Sequence, residues 1–253
     1  STARTFLRAA RHRANLRVET RAMATKLLFE GKKCVGVAYR QGGKERQLRA
    51  TREVILCGGS VNSPHLLQIS GIGPGAHLHG LGIDVMHDLA GVGQNLSDHY
   101  VTRISHRVTG AITINQLARF PRVAAQVVRW VLRGDGALTF GVTSAMVFCR
   151  SRDGLSSPDL QLLFSPASYD TEVIGTLERQ PGMLVAVCPV RPESRGTIMA
   201  QSPDPLAPPA IVPNYLSAEG DLYVMRSGIA HARRIFAAPA IAAPSAGETT
   251  PAA

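Results

Sequence analysis

Gly58 and Gly59 stand where the absence of side chains could itself be the chemistry. They follow the run "EVILC" (53–57) and precede Ser60 to Ser63, Pro64 and "HLLQIS", so the pattern predicts a strand buried on both faces, a tight turn and a helix. Ser60 to Ser63 would cap that helix, with Pro64 in its first turn. At the carboxyl end of a strand in an open α/β sheet, a bend without Cβ atoms lets backbone N–H groups approach a cofactor or phosphate. Glycines also serve simply to permit a sharp turn, and the turn alone leaves both readings standing.

The titratable residues offer less. Cys34, Cys57, Cys149 and Cys188 are scattered without a C-x-x-C pair or a histidine at ligand spacing, so neither zinc nor a disulfide framework is indicated. His99 follows Asp98, but successive side chains on a strand point to opposite faces, which argues against a carboxylate–imidazole dyad. His65, His77, His79 and His87 are expected at the surface or in capping positions.

The elements around them read in two layers. Leu16 and Val18 lead into a segment ending at Phe29; "CVGVAY" follows the turn at 30–33 and "RQLRA" the turn at Gly42-Gly43, an antiparallel meander. Beyond residue 102, "PRVAAQVVRWVLRG" puts Val123, Val127, Trp130 and Val131 on one helical stripe, expected to pack in the core. "DLQLLFSP", "GMLVAVCPV" and "RGTIMAQS" read as three strands of one antiparallel sheet, with Arg191, Glu193, Arg195 and Asp204 expected in ion pairs. A helix carrying Leu222, Met225, Ile229, Ala232 and Phe236 follows, interrupted at Gly228. The Ala- and Pro-rich residues 241–253 are expected to fray.

Bulk properties narrow the classes. At 253 residues and 45% hydrophobic, the chain can bury one large or two modest cores. A net charge of +10 is dispersed apart from Arg4, Arg8, Arg11 and Arg13, and few aromatics interleave with it. That favours a solvated basic surface over nucleic-acid binding. No run resembles a signal peptide or a membrane span, so a cytoplasmic, reducing setting is expected, with peripheral attachment to a membrane left open.

One resemblance is specific. "GGSVNSPHLLQISGIGP" is similar to the second signature of the glucose–methanol–choline (GMC) flavoprotein oxidoreductases, with Gly59, Ser63, Pro64, Leu66, Leu67, Ser70, Gly71 and Gly73 in the family's places. Upstream, "FLRAARHRANLRVETRAMATKLLFEGKKCVGVAY" resembles the family's meander; downstream, "DLAGVGQNLSDHY" and "CPVRPESRGTIMAQSPDPLAPPAIVPNYL" resemble later elements. The likeness is strongest to choline and other alcohol dehydrogenases. It implies an α+β/α/β chain: a partial FAD-binding Rossmann-like domain with a β-meander over 1–102, then an antiparallel-sheet-plus-helices substrate domain over 103–240.

The resemblance also implies which residues meet the cofactor, FAD. Ala24 takes the meander position whose backbone reads the adenine edge, Gly58 and Gly59 border the flavin cleft, and Asn95, Asp98 and His99 lie in the segment passing near the isoalloxazine. In the family an alcohol loses its hydroxyl proton to a base and a hydride to flavin N5. The family's G-x-G-x-x-G turn and carboxyl-terminal catalytic histidine have no counterpart here: "GIGPG" at 71–75 and "GVG" at 91–93 lack the third glycine at the required spacing. The chain alone is therefore expected to be inactive and to lack a neighbour for "EVILC". The alternatives are a non-enzymatic basic interaction module, or one half of a split enzyme whose complementary chain supplies the missing segments.

Overall fold

The computed structural model describes residues 2–139, 141–173 and 175–250. In chain order these form the helix α1 (Arg8–Ala10), the strands β1 (Ala22–Glu30), β2 (Lys33–Gln41) and β3 (Lys44–Arg49), α2 (Gly59–Ile69), β4 (Ile72–Gly73), α3 (Gly75–Gly80) and β5 (His87–Asp88). Next come β6 (Thr102–Val108), α4 (Ile114–Leu117), α5 (Arg122–Arg133), β7 (Ala145–Cys149), β8 (Leu160–Ser165) and β9 (Gly182–Pro189). The chain continues through β10 (Thr197–Met199), β11 (Ala210–Val212), α6 (Glu219–Ala237), α7 (Pro239–Ala242) and β12 (Ser245–Thr250).

Two compact units result, and the division differs from the expected break at 102. One unit holds the residues up to Leu96 together with Gly196–Val212; the other holds Ser97–Arg195 and the residues from Pro213 onward.

In the first unit β1, β2 and β3 form the antiparallel meander, in that order. The β1–β2 register slips between Ala24 and Lys26, a bulge that bends the edge strand locally. The Leu27 amide donates to the Ser70 hydroxyl at 2.9 Å, and that hydroxyl donates to the Leu66 carbonyl at 2.6 Å, so α2 ties the strand's open edge. Leu27, Val35, Ile69, Leu78, Ile83, Val92 and Ile198 are buried in this unit.

Helix α2 begins at Gly59, five residues before Pro64, which therefore lies in the helix interior rather than in its first turn. No side chain caps the start; Gly58 takes the N-cap position. The run Val54–Cys57 is a further correction: it has no ladder partner among the described residues, and Ile55 is 73% exposed. An apolar β-type sequence becomes a strand only when another strand satisfies its backbone.

The second unit is built on a five-stranded antiparallel sheet ordered β12-β6-β9-β8-β7. Every residue of the central β9 is buried, as its unbroken apolar run requires. Helix α6 covers the sheet, with Met225, Ala232 and Phe236 packed against Ile104, Leu160, Leu162, Met183, Val185 and Val187. Gly228 does not interrupt α6. A Cβ there would fall 2.3 Å from the Val187 side chain and 2.7 Å from Leu160, so this glycine lets the helix approach the sheet.

Three expectations fail in these units for identifiable reasons. The "RGTIMAQS" strand pairs with β11 in the first unit and is absent from the larger sheet. Ser245–Thr250, expected to fray, pairs with β6, since an edge strand with unpaired backbone accepts even a small-residue partner. The stripe of α5 is not core: none of its residues is buried. Hydrophobic periodicity gives a helix its face but not a surface to meet it.

Candidate cofactor-binding site

The first unit contains a cavity of about 550 Å³ beside the Gly58 bend. Met23 and Ala24 of β1 and Val37 of β2 form one wall; Val54–Gly58 runs along another; Asn62, Ser63, His65, Leu66 and Ile69 of α2 close it. Positions 62, 65, 66 and 69 are one face of a helix, so α2 presents a strip to the cavity. The volume falls within the ~300–1,000 Å³ typical of small-molecule sites.

Two features suit an aromatic ligand lying against main chain. A Cβ on Gly58 would stand 3.1 Å from the Ser63 amide nitrogen and 3.2 Å from the Asn62 Cβ, so a side chain there would crowd the helix start. Gly59 has φ +78°, in the left-handed region, and a Cβ there would meet nothing. His65, which also lines the cavity, is 7% exposed, and its buried Nε2 has no hydrogen-bond partner among the described residues. Burial pushes the His65 pKa down, which keeps the ring neutral.

Ala24 and Gly58 thus meet at one cavity, and Gly59 directly follows. Asn95 belongs to the same unit, has φ +64° and lies exposed, outside that cavity's lining. His65 was expected at the surface and is instead buried on the α2 face that lines the cavity, a difference that residue spacing does not signal.

Asp98 and His99 line a separate recess of about 470 Å³ in the second unit, with Ser97, Val190, Arg191, Pro192, Glu193 and Arg195. Both Asp98 oxygens are engaged, one by the Tyr215 hydroxyl at 2.5 Å and the other by the His99 amide at 2.9 Å. Those bonds, the tyrosine first, hold its pKa below the usual carboxylate range and push that of Tyr215 up. The His99 ring makes no hydrogen bond to Asp98 among the described residues; its Nε2 lies 3.2 Å from the Val190 carbonyl. A carbonyl only accepts, so Nε2 carries the proton. Asp98 is therefore a loop anchor.

The expected ion pairs of Arg191, Glu193, Arg195 and Asp204 do not form among the described residues. Arg195 instead donates to the carbonyls of Pro192 and Ser194, at 2.6 and 3.0 Å, and Asp204 accepts the Leu206 amide of its own turn at 2.9 Å. Exposed arginine is satisfied by carbonyls and water as well as by acids. The four cysteines are free thiols, and no cluster of three or more His, Cys, Asp or Glu among the described residues could hold a metal ion. No helix among them is long and apolar enough to cross a membrane.

The meander, the glycine bend and the helix around an apolar cavity, with an antiparallel sheet covered by a helix, are the mixed α/β arrangement that the resemblance to flavoprotein oxidoreductases implies. The amino-terminal pattern of the GMC oxidoreductases matches residues 1–101 and their carboxyl-terminal pattern matches residues 192–253. The chain belongs to the GMC oxidoreductase family.

Its relatives include the oxygen-dependent choline dehydrogenase of Chromohalobacter salexigens, 40% identical over 243 residues, covering 95% of this chain and 43% of that protein. An uncharacterised GMC-type oxidoreductase of Mycobacterium bovis is 40% identical over 237 residues, covering 93% and 44%. Among solved structures, a formate oxidase of Aspergillus oryzae, studied for its FAD modification, superposes with a TM-score of 0.85 at 25% identity, covering 95% of this chain and 47% of that one. An FAD-dependent oxidoreductase from Chaetomium thermophilum shares the fold, with a TM-score of 0.85 at 23% identity over 99% and 49%. The chain spans less than half the length of these relatives.

Proposed function

We propose that this chain contributes the meander side of the cofactor site, and the sheet of the substrate domain, to an FAD-dependent oxidoreductase acting on the CH–OH group of choline or another primary alcohol. The observation that carries the reading is the apolar cavity at the Gly58 bend, lined also by Ala24 and by the α2 face at Asn62, His65, Leu66 and Ile69. When bound, FAD supplies the acceptor for the hydride leaving the alcohol carbon.

The chain's own residues hold and orient. The Ala24 backbone meets the adenine edge, Gly58 and Gly59 leave room for the main chain to lie against the cofactor, and Val37, Leu56 and Leu66 exclude water. Within the second unit, Asp98 fixes its loop through Tyr215. No residue of the chain is assigned as the base that takes the alcohol proton.

The test is an FAD titration followed by flavin fluorescence quenching, with the chain alone and with complementary family segments co-expressed. The chain alone is expected to bind weakly and to leave an alcohol-dependent dye unreduced; the assembly is expected to bind flavin in stoichiometric amount. In the assembly, Gly58→Leu should weaken binding at least tenfold. Equal flavin binding by Gly58→Leu, or an assembly that folds and takes up no flavin, overturns the reading.

A further inference from the structure

Helix α5 presents a surface that the cofactor site does not use. Val127, Val128, Trp130, Val131 and Leu132 lie exposed along it, from 44% at Val127 to 77% at Leu132, and Phe120 just ahead of it is 85% exposed. At 100° per residue the apolar side chains from Val123 to Leu132 fill an arc of about 220°. The remaining strip holds only Arg122, Gln126, Arg129 and Arg133. No acidic residue lies on the helix. Arg129 pairs with Asp135 just beyond it, at 2.6 Å, while Arg122 and Arg133 meet no acid among the described residues.

We propose that α5 is an interfacial helix that lies on the surface of an anionic bilayer, its Val/Trp/Leu face in the headgroup–acyl boundary and its arginines at the lipid phosphates. The width of the apolar arc selects this partner. A helix docking in a protein groove uses a narrow line of anchors at i, i+3, i+4 and i+7, whereas lipid accepts every apolar side chain and lets flanking arginines reach up to the headgroups. The charge selects the lipid: a polar strip of three arginines and one glutamine, on a chain of net charge +10, complements a negative leaflet. Trp130 sits beside this strip, where an amphipathic ring meets the headgroup level. Twelve residues span about 18 Å, which suits a helix lying in the interface plane and is too short to cross a bilayer. This inference stands apart from the cofactor reading, and its test needs no flavin.

Trp130 is the only tryptophan in the chain, so its emission reports α5 alone. The full chain is mixed with phosphatidylglycerol–phosphatidylcholine vesicles, and separately with phosphatidylcholine vesicles, and followed by Trp130 emission and flotation. A blue shift and co-flotation with the anionic vesicles, quenched by brominated lipid and reversed by salt, are expected. Arg122→Gln and Arg133→Gln should each weaken binding about fivefold. Leu132→Glu should abolish it with the far-UV circular dichroism unchanged. Unshifted Trp130 emission with anionic vesicles, or equal shifts with both vesicle types, overturns the proposal. So does a lipid-free shift that grows with protein concentration as the mass doubles, which would make a second copy the cover. An assembly with complementary segments in which Trp130 is already shielded before lipid is added overturns it as well.

Discussion

Gln68 clasps the backbone of β10 and of the residue after it with both ends of its amide: Nε2 donates to the Ile198 carbonyl at 2.9 Å, and Oε1 accepts the Ala200 amide at 2.9 Å. The side chain is wholly buried, so this one residue of α2 stands in for a strand pairing.

Gln68→Leu keeps much of the volume but leaves a buried carbonyl and a buried amide unsatisfied. A loss of about 2–4 kcal/mol is expected, read by urea unfolding of the first unit. Gln68→Glu should cost a comparable amount, because a carboxylate would face the Ile198 carbonyl. A loss below about 1 kcal/mol for both variants would mean that water replaces the clasp.

Asp221 plays a similar part in the second unit. It accepts the amides of Glu193 and Ser194, at 2.8 and 2.9 Å, and the Ser194 hydroxyl at 2.5 Å. Burial works against its charge, but the Ser194 hydroxyl and the two amides outweigh it and hold its pKa below the usual 3.8. A carboxylate with a lowered folded pKa contributes stability that is complete above 3.8 and disappears as the pH falls through the lowered value. Asp221→Asn should cost about 2 kcal/mol at neutral pH, a Tm drop of about 4–8 °C, and that difference should shrink in acid. A difference that stays constant down to acid pH would show that the carboxylate's charge contributes nothing.

His106 stacks on Phe236, with ring centroids 3.9 Å apart and planes 12° from parallel, and its Nδ1 lies 2.7 Å from the Ser245 hydroxyl. Burial lowers its pKa, Glu248 partly restores it and Arg233 opposes that, so the folded value lies below 6.5. The unfolded chain then binds more protons, and stability declines as the pH falls from 6.5 through the folded value. His65 is lowered in the same direction. His106→Phe should be about 1 kcal/mol less stable at pH 7.5, through loss of the Ser245 bond, with a shallower decline in acid. Parallel pH profiles for the two proteins would exclude His106 as a source of the slope.

The sequence made some of this legible and not the rest, for physical reasons. The meander was readable because its turns carry Gly31 and Gly42-Gly43 between alternating residues, a purely local signal. The helix after Gly59 was readable in kind but not in extent, because Pro64 marks a start only when the preceding residues stay out of the helix. Whether Val54–Cys57 pairs, and whether the α5 stripe is covered, depend on surfaces elsewhere in the fold, which residue spacing does not encode. His65 shows the same limit at the site. A histidine on an apolar helix face reads identically whether it meets solvent or an enclosed cavity.

The return of Gly196–Val212 to the first unit has a consequence for biogenesis. A ribosome adding about 5–20 residues per second needs some 5–20 s to pass from Leu96 to Gly196. Throughout that interval Gln68 has no β10 to hold, and the nascent first unit must wait, unfinished, while nearly all of the larger sheet emerges. Its maturation is therefore ordered by translation from the far end, and slow synthesis or a pause before Ile198 would lengthen its exposure to chaperones and proteases.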